Sequence, residues 1–177
     1  MGLSIPKWLD NELYDKCIKY VNNAFLVAYG NNFLTKFRGS PLAITLKDNM
    51  ITRAKLFLEN QSGIKMVGYF AHDTTLVALL AHIGSYNQIQ PPFASSLILE
   101  TYYDMNMPVI DNNSMSQFFV RLLFKNDTTL SPYVLNIGIC KDENSPVQTF
   151  CRLDIFHNRL QNLAFKNLDH ECKLNRD

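Results

Sequence analysis

In this 177-residue chain, side-chain chemistry and chain geometry converge at His72-Asp73-Thr74-Thr75. Just upstream, Met66-Val67-Gly68-Tyr69-Phe70-Ala71 is a nearly continuous apolar run, which predicts a short strand covered on both faces. Just downstream, Leu76 to Ile83, closing at Gly84, predicts a compact buried helix. The polar tetrad therefore falls at a strand-to-helix turn. In an open α/β sheet, ligands collect beyond the carboxyl ends of strands, where helix N-termini offer free N–H groups and a positive dipole end. A protonated imidazole at that position would hold an anion such as phosphate, and a carboxylic acid beside it could protonate a leaving oxygen. The pair suits phosphoryl transfer. A plainer reading stands next to it: Asp73 N-caps a helix starting at Thr74, and His72 is a satisfied turn residue. On spacing alone the plainer reading is favoured, because a His-Asp dipeptide is a weak motif.

The elements that must position this turn are legible as periodicities. From Asp10 to Tyr29, Leu13, Cys17, Tyr20, Val21, Ala24, Phe25 and Ala28 recur at three- and four-residue steps and Gly30 supplies a stop, which predicts a helix. A second amphipathic helix is predicted from about Leu42 to Leu58, with Leu46, Met50, Ile51, Ala54 and Leu58 on one stripe. Gln90-Pro91-Pro92 forbids regular structure, after which Leu97–Tyr103 and Phe118–Phe124 read as strands that pair. A last helix is predicted over Val147–Ala164, entered through Ser145-Pro146. Helix followed by buried strand predicts an α/β layer.

Composition narrows the function classes. With 47% hydrophobic and 19% charged residues, the chain can bury a core of about one domain. Lys and Arg number 17 against 16 acids, a net charge of +1, so no broad field draws it to nucleic acid or an anionic membrane. The longest apolar run, Leu76 to Ala81, is too short for a membrane span, and the N-terminal residues lack the pattern of a signal peptide. Sequons stand at Asn60, Asn112 and Asn126. Cys17, Cys140, Cys151 and Cys172 lack paired zinc spacing, and His82, His157 and His170 are scattered, so no metal is assigned. Glu100 reads as a hydrogen-bonded strand residue, and Tyr102-Tyr103 and Phe118-Phe119 as sheet packing.

Tyr69-Phe70-Ala71-His72-Asp73-Thr74-Thr75-Leu76, Tyr86-Asn87, Pro91-Pro92-Phe93-Ala94-Ser95-Ser96 and Glu100-Thr101-Tyr102 together resemble the histidine acid phosphatases of the animal prostatic and lysosomal type. Ile5-Pro6-Lys7-Trp8, Leu26–Gly30, Asn126-Asp127-Thr128 before Pro132-Tyr133, and Asp169-His170-Glu171-Cys172 have counterparts in the same order. The resemblance implies a two-step phosphomonoester hydrolysis through a phosphohistidine, needing no cofactor. In that scheme His72 resembles the histidine that binds the phosphoryl oxygens and Asp73 the proton donor to the leaving alcohol, which reverses the capping preference. The family's nucleophile lies in an Arg-His-Gly-x-Arg-x-Pro segment, and no Arg-His pair exists in this chain; none of its arginines is carried over.

The fold implied is the C-terminal part of a histidine-phosphatase α/β sandwich, with residues 1–36 as the end of a helical cap and 37–177 as the C-terminal half of the sheet domain. The chain alone is then expected not to turn over phosphomonoesters, and its sheet to present an exposed edge, an uncovered apolar face and poor solubility. The alternative is a non-catalytic truncated paralogue or interaction protein of the same fold. The resemblance also implies a secreted or lysosomal glycoprotein, acting on a phosphomonoester and not on nucleic acid, and admits a homodimer of the full-length form. Cys140 resembles a family disulfide cysteine whose partner position lies near Ser145-Pro146, a place Cys151 could take. Cys172 resembles a cysteine bridging to the N-terminal half, and Cys17 has no counterpart.

Overall fold

The computed structural model describes residues 4–110, 114–126, 128–141 and 149–165. Three helices come first: α1 Asn11–Tyr29, α2 Asn32–Leu58 and α3 Asp73–His82. A small sheet follows, built from β1 Ser96–Tyr103, β2 Phe118–Lys125, β3 Tyr133–Leu135 and β4 Cys151–Arg152, and α4 Leu153–Leu163 closes the described chain.

Local chemistry starts and stops the first two helices. The Asp10 side chain accepts from Leu13 N–H at 2.8 Å and Gly30 ends α1; one residue later the Asn31 side chain accepts from Phe33 and Leu34 N–H and opens α2. The second helix begins ten residues before the predicted Leu42 and runs unbroken past residues 36 and 37. Pro41 does not break it; the ring is tolerated inside the helix because the packing of the flanking turns outweighs one lost backbone bond. The reason is visible at Gly39, where a Cβ would collide with the Ala78 carbonyl and the His82 Cβ. Helices α2 and α3 thus touch backbone to backbone.

β2 is the spine of the sheet. It pairs antiparallel with β1 along its whole length, Leu99 opposite Leu122 and Tyr103 opposite Phe118, and with β3 and β4 in shorter ladders. The expected pairing of the two long strands is what forms. Phe118, Val120 and Leu122 alternate into the core beneath α2 and α4, with Ala54, Leu79, Leu80, Ile83, Leu153, Phe156 and Leu160, and Phe124 is buried on the same strand face. Each of the Val, Leu, Ile and Phe side chains contributes about 1.5–3 kcal/mol on burial. On the opposite face, Glu100 and Arg121 sit across the ladder at 2.7 Å. Tyr102 lends Glu100 a hydrogen bond at 2.6 Å, so Glu100 is the bonded strand residue the sequence suggests.

Two expectations fail here. Met66–Ala71 is not a strand: residues 61–72 run without regular structure, Met66 is 87% exposed, and Phe70 is fully exposed. A strand exists only by pairing. β1, β2, β3 and β4 pair with one another, so this apolar run has no ladder partner among the described residues. The last helix begins at Leu153 and not at Val147, because Cys151 and Arg152 are committed to pairing with Val120 and Phe119; residues 145 to 148 lie outside the described residues. The disulfide Cys140–Cys151 is present, while Cys17 is free and exposed. Cys172, His170 and the Asn112 sequon lie outside the described residues.

Candidate active site

The site is built on the first turn of α3. Helix residues Val77, Ala78, Leu79 and Leu80 are buried on several sides at once, so the axis of α3 is fixed by packing against α2 and against Phe25, Ala28 and Tyr29. What packing fixes at the middle of the helix, the backbone transmits to its start. His72 occupies the N-cap position with extended backbone (φ −90°, ψ 165°), and its carbonyl accepts from Thr75 and Leu76 N–H at 3.0 and 3.2 Å. Its imidazole caps nothing and is exposed. Asp73 is the first residue of the helix. The capping reading, with the helix starting at Thr74, is therefore displaced by one residue: the N-cap is His72, and Asp73 lies one position inside.

The Asp73 carboxyl has two donors. Oδ1 accepts from Thr74 N–H at 2.7 Å, and Oδ2 accepts from Gln90 Nε2 at 2.9 Å. Gln90 belongs to the loop after α3, and its own N–H donates to Asn22 Oδ1 of α1 at 2.9 Å. The turn thus gathers an exposed imidazole, a half-buried carboxyl and the positive end of a helix, which can attract an anion and offer it a proton. Sequence reasoning singled out His72 and Asp73, which the structure brings to one helix start. It missed Gln90 and Asn22, because a neutral amide in a Pro-rich loop and another on a helix face give no pattern.

The positive charge that phosphate demands is not assembled from arginine among the described residues. Arg38 stacks over Tyr29 and donates to the Ala28 carbonyl, and Arg53 donates to the Gln61 carbonyl. Arg121 holds Glu100, Arg152 holds Asp154, and Arg159 donates to the Ile139 and Lys141 carbonyls. A cavity of about 430 Å³ lies at the other end of α3, against Lys36, His82, Gly84, Ile139 and Lys141. Burial, helped by Lys36, lowers the pKa of His82 below the usual 6.5 and so favours its neutral form. Burial likewise raises the Tyr86 hydroxyl.

The chain spans little more than a third of the curated relatives it matches. It is 27% identical over 175 positions to lysosomal acid phosphatase of Xenopus laevis, covering 97% of this chain and 36% of that protein. It is 29% identical over 179 positions to the lysosomal acid phosphatase of Rattus norvegicus, covering 99% and 38%. Against prostatic acid phosphatase of Homo sapiens it is 25% identical over 152 positions, covering 86% and 36%. A mixed helix and antiparallel sheet architecture, the polar turn at the start of α3, and a match over residues 6–125 to the family model "Histidine phosphatase superfamily (branch 2)" agree: the chain belongs to that superfamily.

Proposed function

We propose that this chain carries the leaving-group side of an acid phosphatase site, with His72 binding the phosphoryl oxygens and Asp73 protonating the departing alkoxide. The single observation that carries this is the placement of both residues at one helix start, the Asp73 carboxyl held by two donors while the imidazole stands free. As the ester P–O bond breaks, the Asp73 proton passes to the bridging oxygen and the phosphoryl group passes to a nucleophile. In the histidine acid phosphatases that nucleophile sits in an Arg-His-Gly-x-Arg-x-Pro segment, and these 177 residues contain no Arg-His pair. Full turnover therefore needs a nucleophile these residues do not supply, and the chain as it stands hydrolyses phosphomonoesters no faster than its His72→Ala variant.

The family relationship and the Cys140–Cys151 bond both support a secreted or lysosomal setting, since disulfides persist in oxidising compartments. Asn60, exposed with φ 55° at the end of α2, is well placed for a glycan. A second reading, a non-catalytic binding protein of the same fold, is favoured by the engagement of every described arginine elsewhere.

The test is a comparison of leaving groups with the nucleophile-bearing part of the fold joined to this chain. Asp73→Asn slows an alkyl phosphate by about 10²–10⁴, because its alkoxide leaves badly without a proton. It slows p-nitrophenyl phosphate less, since that leaving group is stable as an anion. Equal losses for both esters would overturn the assignment of Asp73. Turnover by the joined protein that is unchanged in His72→Ala would favour the non-catalytic reading of this turn.

A further inference from the structure

A carboxyl that gives and regains a proton needs a partner that suits both of its states. Ionised, it offers only acceptors; protonated, it presents an O–H that must donate. Lysine or arginine stabilises the ionised form alone, and an apolar neighbour serves neither. A primary amide serves both, because half a turn about its terminal bond exchanges NH2 for C=O. Gln90 is such a partner at 2.9 Å from Asp73 Oδ2, and it is not a wandering side chain. Its backbone N–H is tied to Asn22 Oδ1 of α1, and it precedes Pro91, which is buried. Thr74 N–H, the other donor, can only donate and cannot follow the proton.

We propose that Gln90 is the positioning residue of Asp73: it fixes the direction of the carboxyl from the α1 side and, by rotating its amide, follows it through protonation. This rests on the reading of Asp73 as proton donor, but it is tested without turnover. The Gln90→Glu variant places a second carboxyl against Oδ2, and two carboxyls at that distance share one proton. One member of the pair should therefore titrate at least about one pH unit above an ordinary carboxyl, followed by ¹³C NMR of the carboxyl carbons in the intact chain. In the Gln90→Glu, Asp73→Asn double variant the raised titration should vanish; His72 is present in both backgrounds, so its titration cancels.

The same raised titration in both backgrounds, or in neither, would overturn the proposal. If Gln90→Glu does not fold, the side-chain amide signals of Gln90 in the unsubstituted chain decide: they should move on Asp73→Ala and show proximity to the Thr74 amide. Unmoved signals would equally overturn it. A merely structural brace would change thermal stability without producing a shared proton. The leaving-group comparison can fail while the coupled titration succeeds, and the reverse, so the two readings fall separately.

Discussion

The Cys140–Cys151 bond closes a loop over a sequence separation of 11, and its contribution can be worked from that number. In the chain-entropy account, such a loop removes about 9 cal/mol/K from the unfolded ensemble, or about 2.8 kcal/mol at about 25 °C. That corresponds to roughly a hundredfold change in the ratio of folded to unfolded chain. For a domain whose whole stability is about 5–15 kcal/mol, the loss is a large share. The bond also has a local task, since it anchors Cys151 where β4 pairs with Val120 and where α4 begins. Both cysteines are nearly fully buried, so reduction keeps their volume and isolates the cross-link, whereas Cys140→Ala, Cys151→Ala adds a packing loss of about 1 kcal/mol per site. Urea unfolding of the oxidised and reduced chain is the assay. The expected outcome is a loss near 2.8 kcal/mol and a steeper dependence on urea, because an uncrosslinked unfolded state exposes more surface. A loss below about 1 kcal/mol would refute the entropic reasoning.

Burial of neutral His82 makes stability depend on pH. Its folded pKa lies below the usual 6.5, so the unfolded chain binds the extra proton, and stability is full above that value and falls as pH drops below it, at most by about 1.4 kcal/mol per pH unit. Thermal melts from neutral to acid pH should show this slope reduced in His82→Leu, and an unchanged slope would count against the burial argument. Gly39→Ala should destabilise the chain by about 2 kcal/mol or more, since the added methyl meets the Ala78 carbonyl, and a neutral result by urea unfolding would show that α2 and α3 can separate without cost.

What the residues reveal and what they hide divides along the range of the interactions involved. Helix α1 was legible because its signals are local: Asp10 at the start, a 3.6-residue stripe, and Gly30 at the end. The pairing of β1 with β2 was legible because both are long, rich in aromatic and branched residues, and separated by a polar loop. The start of α2 lies ten residues before the apolar stripe that marks the helix in the sequence, because the first turns are held by the Asn31 cap and the close packing of Gly39 on α3, which the stripe does not carry. The start of α4 was misread for the same reason, with Cys151 and Arg152 claimed by β2.

The site divides in the same way. His72 and Asp73 stand out by type and by their place before an apolar helix, and the family resemblance suggests their roles; Gln90 reaches Asp73 from the loop after α3, where its backbone is tied to Asn22 of α1. The segment before the site is the sharpest case. Met66-Val67-Gly68-Tyr69-Phe70-Ala71 has the composition of a strand buried on both faces, yet a strand is a property of two segments, and composition names only one of them. The run that sequence reasoning reads as a buried element is therefore apolar surface left open beside the candidate site, with Met66 and Phe70 strongly exposed. His72 follows it directly, at the N-cap of α3.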